Sequence, residues 1–111
     1  MDNNLIKDLL YNLEFLIKDD EKINFKLYPL QEKLNFKKGQ LIYEQEKLQS
    51  AKKRKNEADI IRRTKSMNAV NNAVNNISLD YIKYNGLKQL SLEKIKRVQS
   101  EIEEIKKNSK N

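Results

Sequence analysis

Cysteine, histidine and tryptophan are all absent from this chain of 111 residues. Without them there can be no disulfide, no Cys/His zinc site and no nucleophile activated by a neighbouring imidazole. Glycine occurs twice and proline once, which leaves no glycine-rich phosphate loop and few places to interrupt a helix. No apolar run is longer than three residues, so neither a signal peptide nor a membrane span is expected. The expected location is therefore cytoplasmic, with leaderless export of a folded helical protein as the exception. Two carboxylate clusters are present, Asp19-Asp20-Glu21 and Glu101 with Glu103-Glu104. The first belongs near a turn and the second on a solvated helix face, and neither has the convergence that acid/base or metal chemistry needs. The expectation is no catalysis, no cofactor and no small-molecule substrate.

Leu, Ile, Lys, Glu and Gln dominate what remains, and all of them except Ile are strong helix formers. Charged residues make up 35% and hydrophobic residues 38%, a supply that suits narrow apolar stripes rather than a thick core. The expectation is a single helical domain over residues 1–111, all-α and elongated, with coiled-coil-like packing. Net charge is +7 and the pI about 9.5, which admits an acidic partner such as nucleic acid. The charge is uneven: residues 1–50 hold eight basic and nine acidic side chains, whereas residues 51–66 hold seven basic and two acidic.

Leu5, Ile6, Leu9, Leu10, Leu13, Leu16 and Ile17 follow helical spacing and predict a helix over about 3–25, capped by Asp2 or Asn3. Pro29 lacks an N–H and crowds the carbonyl four residues back, so a turn or sharp kink is expected at 26–29. A long helix is expected over about 29–84. Gly39 is its weak point, but the register Leu27, Leu34, Leu41 and Leu48 passes through it. After Leu48 the heptad positions hold Ala51, Lys55, Ala58 and Arg62, and the seam fails. An apolar stripe returns with Ile60, Met67, Val70, Val74 and Ile77, backed by an asparagine face in the tandem AVNNAVNN. Asn85-Gly86 is the expected stop. A last helix over about 87–108 would be capped by Ser91 and carry the seam Ile95, Val98, Ile102 and Ile105. The arrangement so predicted has three antiparallel helices with the long one central.

The four leucines followed by Lys52–Lys55 raise the question of a basic leucine zipper. That architecture places its basic region ahead of the coiled coil, whereas here it follows, and Glu57 and Asp59 lie where phosphates would sit. The leucines are a packing seam. On a continuous helix Lys52, Lys55, Arg62 and Arg63 would cluster within about a third of the circumference around Asp59. Partly compensated by the i, i+4 pairs Lys53–Glu57, Lys55–Asp59 and Asp59–Arg63, they would give about four or five phosphate contacts, for a salt slope of about −4. No aromatic lies between 44 and 80 to stack a base. The chain is also similar in size to the small WXG-type export proteins. Their Trp-x-Gly turn is absent, and only Tyr84-Asn85-Gly86 approximates it.

Tyr11 and Phe15 lie on the side of the first helix away from its Leu/Ile stripe, and Phe36 and Tyr43 lie opposite the leucine seam. Two packed helices bury only their facing stripes, so these aromatics are candidate anchors for a protein partner or a second copy. The function expected is a non-enzymatic helical interaction module: adaptor, assembly factor, small chaperone or inhibitor. The alternatives are a nucleic-acid-binding accessory protein using residues 52–65 and an export-linked helical hairpin.

Overall fold

A computed structural model describes residues 2–109, in two α-helices: α1 (Asp2–Lys53) and α2 (Glu57–Ser109). The all-α class holds, but the helices number two rather than three, packed as a hairpin. The expected breaks at 26–29 and at Asn85-Gly86 do not occur, and the long helix expected over 29–84 is divided at residues 54–56.

The reversal is set by two adjacent residues. Lys55 takes a left-handed backbone, φ 57°. Its N–H donates to the Lys52 carbonyl at 3.1 Å and the next N–H, of Asn56, to the Ala51 carbonyl at 3.3 Å. That closure consumes the carbonyls orphaned at the end of α1 and usually falls on glycine. Asn56 then starts α2. Its Oδ1 accepts from the Asp59 N–H at 3.2 Å, and its carbonyl accepts the first helical bond, from Ile60 N–H at 2.9 Å, as an N-cap requires. Because the turn residue is lysine, no glycine marked it in the sequence.

Pro29 lies inside α1 on its exposed side. The bond it forfeits is to the Phe25 carbonyl, which water can satisfy there, while Leu27 and Leu30 keep the inward stripe intact. Gly39 and Gly86 are also within helices, each costing about 1 kcal/mol against alanine. Packing on the opposite side carries the helix through both.

The chain divides into two compact units, one taking residues up to Leu27 and from Lys83 onward, the other Tyr28–Ile82. In the first unit Ile6, Leu9, Leu13, Leu16, Ile23 and Leu27 of α1 meet Tyr84, Ile95, Val98, Ile102 and Ile105 of α2 along the buried seam. Ser91, expected to cap a third helix, is buried in that seam. Leu5, Leu10 and Ile17, assigned to the same inward stripe from the sequence, lie on its shoulders and are exposed. In the second unit Leu30, Leu34, Leu41, Leu48 and Ala51 face Ile60, Met67, Val70, Val74 and Ile77. The inward positions recur in alternating steps of three and four, the coiled-coil period.

Each unit also holds one opposed charge pair in its seam. Lys88 Nζ donates to Asp20 Oδ2 in the first, and Arg63 Nη1 lies 4.0 Å from Glu44 Oε2 in the second. The other oxygen of Asp20, Oδ1, is buried with no hydrogen-bond partner.

Replacing Lys55 by glycine removes the left-handed strain of a side chain at this position. Lys55→Gly should stabilise the hairpin by about 1 kcal/mol, read as a higher denaturant midpoint with unchanged slope. An unchanged or lower midpoint would mean the reversal is made elsewhere.

Candidate protein-interaction surface

The basic segment is the first candidate, and the reversal takes it apart. Lys52 ends α1, Lys55 sits in the link, and Arg62 and Arg63 belong to the opening turns of α2. The single basic face expected of a continuous helix does not exist. The arginines instead converge on Asp59. Arg54 Nη2 donates to Asp59 Oδ2 at 2.9 Å and Arg62 Nη2 to Oδ1 at 2.6 Å, with Arg63 Nε 3.7 Å from Oδ1. The Arg62 hydrogen bond holds the Asp59 carboxyl below its ordinary range; partial desolvation opposes this, and the charges of Arg62, Arg63 and Arg54 reinforce it. The guanidinium groups cover this carboxylate at the tip of the turn, where it also lies near the start of α2. Arg62 and Arg63 therefore staple the reversal, while Lys52, Lys53 and Lys55 remain exposed.

The aromatic candidates lie on the outer side of α1. In the first unit Tyr11 is 77% and Phe15 60% exposed; in the second Phe36 is 65% and Tyr43 52% exposed. Lys47 Nζ sits 5.3 Å from the Tyr43 ring centroid and shields part of it. Two further aromatics are equally open: Phe25, the last residue of the helix expected over about 3–25, at 80%, and Tyr28, in the expected turn, at 60%. Within the first unit helical spacing puts Phe25 on the side of Tyr11 and Phe15, and that spacing was the available signal; for Tyr28 the break expected at Pro29 masked it.

In the second unit Gly39 lies one turn from both Phe36 and Tyr43, and the three line a groove with Gln40 and Val70. A Cβ built on Gly39 would meet nothing within 4 Å, so the floor of the groove is open. Leu79 and Ile82 of the second unit and Leu90 of the first are exposed too, and no sequence pattern singled them out. The four leucines Leu27, Leu34, Leu41 and Leu48 lie on the inward side, with Leu27, Leu34 and Leu48 buried.

Among the described residues no helix is long and apolar enough to cross a membrane. Tyr84-Asn85-Gly86, which approximated an export-protein turn, is an uninterrupted part of α2. Comparison of the chain with protein-family models, curated proteins and solved structures finds no match.

The lowered Asp59 carboxyl fixes the sign of an acid effect. A group held below its unfolded value stabilises the fold above that value, near pH 4, and the contribution fades as pH falls through the folded value. Asp59→Asn should therefore lower the thermal midpoint at pH 7 by a few degrees, roughly, and leave it unchanged at about pH 2, where the wild-type carboxyl is itself protonated. A variant equally destabilised at both pH values would show that Asp59 acts without its charge.

Proposed function

We propose that this protein is a non-enzymatic helical interaction module that docks through the outer aromatic side of α1, serving as adaptor, assembly factor, small chaperone or inhibitor. One observation carries the reading: aromatic side chains stand exposed on that side in both units, while among the described residues no large side chain is completely buried. Within each unit the α1 segment packs against one segment of α2, so its second apolar side has nothing in that unit to cover it. Rigid aromatics on a preformed helix lose little freedom on binding and dominate the energy of interfaces when buried. A groove flanked by Phe36 and Tyr43 over an open glycine suits a bulky side chain from a partner helix.

The competing reading, contact with nucleic acid through residues 52–65, loses support from the commitment of Arg54, Arg62 and Arg63 to Asp59. Exposed lysines remain for a non-specific contact.

The two readings separate by mutation. Tyr11→Ala with Phe15→Ala should change the molar mass in solution, or release a co-purifying protein, and leave the unfolding midpoint within about 0.5 kcal/mol of wild type. Unchanged mass and unchanged bound proteins would refute the docking role. Lys52→Glu with Lys55→Glu leaves the Asp59 cluster whole. A nucleic-acid mobility shift at low salt that this variant abolishes would establish the competing reading instead.

A further inference from the structure

Within the second unit, the outer side of α1 complements itself when its direction is reversed. Opposite the leucine seam stand Glu32, Phe36, Gly39, Tyr43 and Lys47. Each is three or four residues from the next, the spacing of a helix seam that pairs with another helix. Glu32 and Lys47 lie equally far from the midpoint between Gly39 and Gln40, and so do Phe36 and Tyr43. We infer that this face takes a second copy of the same chain, its α1 antiparallel to the first and crossing it at that midpoint. The inference rests on the docking role proposed above and names the occupant. Every contact it uses lies within Tyr28–Ile82 of both copies.

Reversal brings complementary groups together. Glu32 of one copy meets Lys47 of the other, an opposite pair, and the twofold axis makes this contact twice. Phe36 meets Tyr43, also twice, which sets an aromatic pair on each side of the crossing. Lys47 Nζ already stands 5.3 Å from the Tyr43 ring centroid of its own chain, so ring and ammonium would be presented to the second copy together. At the crossing itself is Gly39, where a Cβ would meet nothing within 4 Å. The side chains at a contact set the distance between two helices, and a glycine there lets the second backbone come close enough for the rings on either side to pack. The groove that Phe36, Gly39 and Tyr43 line with Gln40 and Val70 is the space those rings enter. Self-complementarity of this kind is what a twofold homodimer requires of a surface; an unrelated partner would impose no relation between the two ends of one face.

The parallel alternative fails on the same residues. It would set Glu32 against Glu32 and Lys47 against Lys47, placing like charges at both ends of the face. One like-charge neighbour survives in the antiparallel arrangement, Glu46 beside the Glu32 of the second copy. Glu46 lies on the rim of the face and is exposed, so its carboxylate turns to solvent while Lys47 takes the contact.

The test is a charge exchange read by sedimentation or light scattering on the full chain. Wild type should have twice the 13.2 kDa chain mass. Glu32→Lys alone sets Lys against Lys twice, and Lys47→Glu alone sets Glu against Glu twice; each should raise the dimer dissociation constant about tenfold. Neither residue is buried, and circular dichroism should show full helix in each variant. Mixed in equal amounts, the two variants should form the heterodimer in preference to either homodimer, because both of its contacts are again Lys with Glu. Both changes in one chain should restore the wild-type dimer. Gly39→Leu should abolish the dimer and leave the hairpin folded, since the added side chain starts in open space. A wild-type monomer overturns the inference. If that monomer releases a different bound protein on Phe36→Ala with Tyr43→Ala, the docking role survives and only the occupant is wrong; if it binds nothing, both fall. A dimer indifferent to the charge variants or to Gly39→Leu, or a mixture with no heterodimer preference, overturns the antiparallel crossing.

Discussion

A helix that reverses on itself can show its partner only one stripe, and the place of reversal decides which stripe that is. Here the decision rests on Lys55 and Asn56. The left-handed lysine closes α1 through the Ala51 and Lys52 carbonyls, and the asparagine side chain opens α2. The inward residues preceding Leu48 on α1 then face residues of α2 counted forward from Ile60, as Glu44 faces Arg63 and Asp20 faces Lys88. Moving the turn to Pro29 or to Gly86 would have paired different stripes and buried different residues. Asp59 binds the reversal from the side by collecting Arg54 and Arg62, which turns a basic segment from a surface for phosphates into part of the fold.

The seams are not purely apolar: two opposite-charge pairs lie in them, beside buried polar atoms such as Asn24 Oδ1 and Gln40 Oε1 that have no hydrogen-bond partner. Asp20 finds Lys88 in the first unit and Glu44 lies opposite Arg63 in the second. Replacing such pairs with apolar residues is often neutral or stabilising, so what they contribute is register. A helix slipped by one turn would part both pairs and set Glu44 against Ile60 or Met67. A seam of leucines alone would tolerate such a slip, since one apolar layer resembles the next.

A single layer of contact in each unit connects the fold to the proposed role. Leu27, Leu34, Leu48, Val74, Val98 and Ile102 are buried but not sealed, and each helix keeps an outer side that nothing in its unit covers. On α2 that side is asparagine around AVNNAVNN with exposed Leu79, Ile82 and Leu90 beyond it, whereas on α1 it carries the aromatics. A surface of this kind is an ordinary cost for a protein whose helices pack further when a partner arrives.

Composition by itself determined the all-α class, since two glycines and one proline cannot break so many helix formers. The leucine register determined the inward side of α1, and the opposed spacing of Tyr11, Phe15, Phe36 and Tyr43 determined that they lie away from it. Those are local facts of helical periodicity, legible residue by residue. The turn was not legible, because the left-handed position holds lysine and the breakers Pro29, Gly39 and Gly86 sit in solvent-facing places where helices survive them. Tyr28, expected in a turn, lies within α1 for the same reason. The pairing of Asp59 with Arg62 and Arg63 is helical spacing too, whereas only the tertiary structure decided that Arg54 reaches Asp59 across the link, that Arg63 lies opposite Glu44, and that Ser91 faces inward. Whether a breaker breaks, or a charge stays free, depends on what the other helix places beside it.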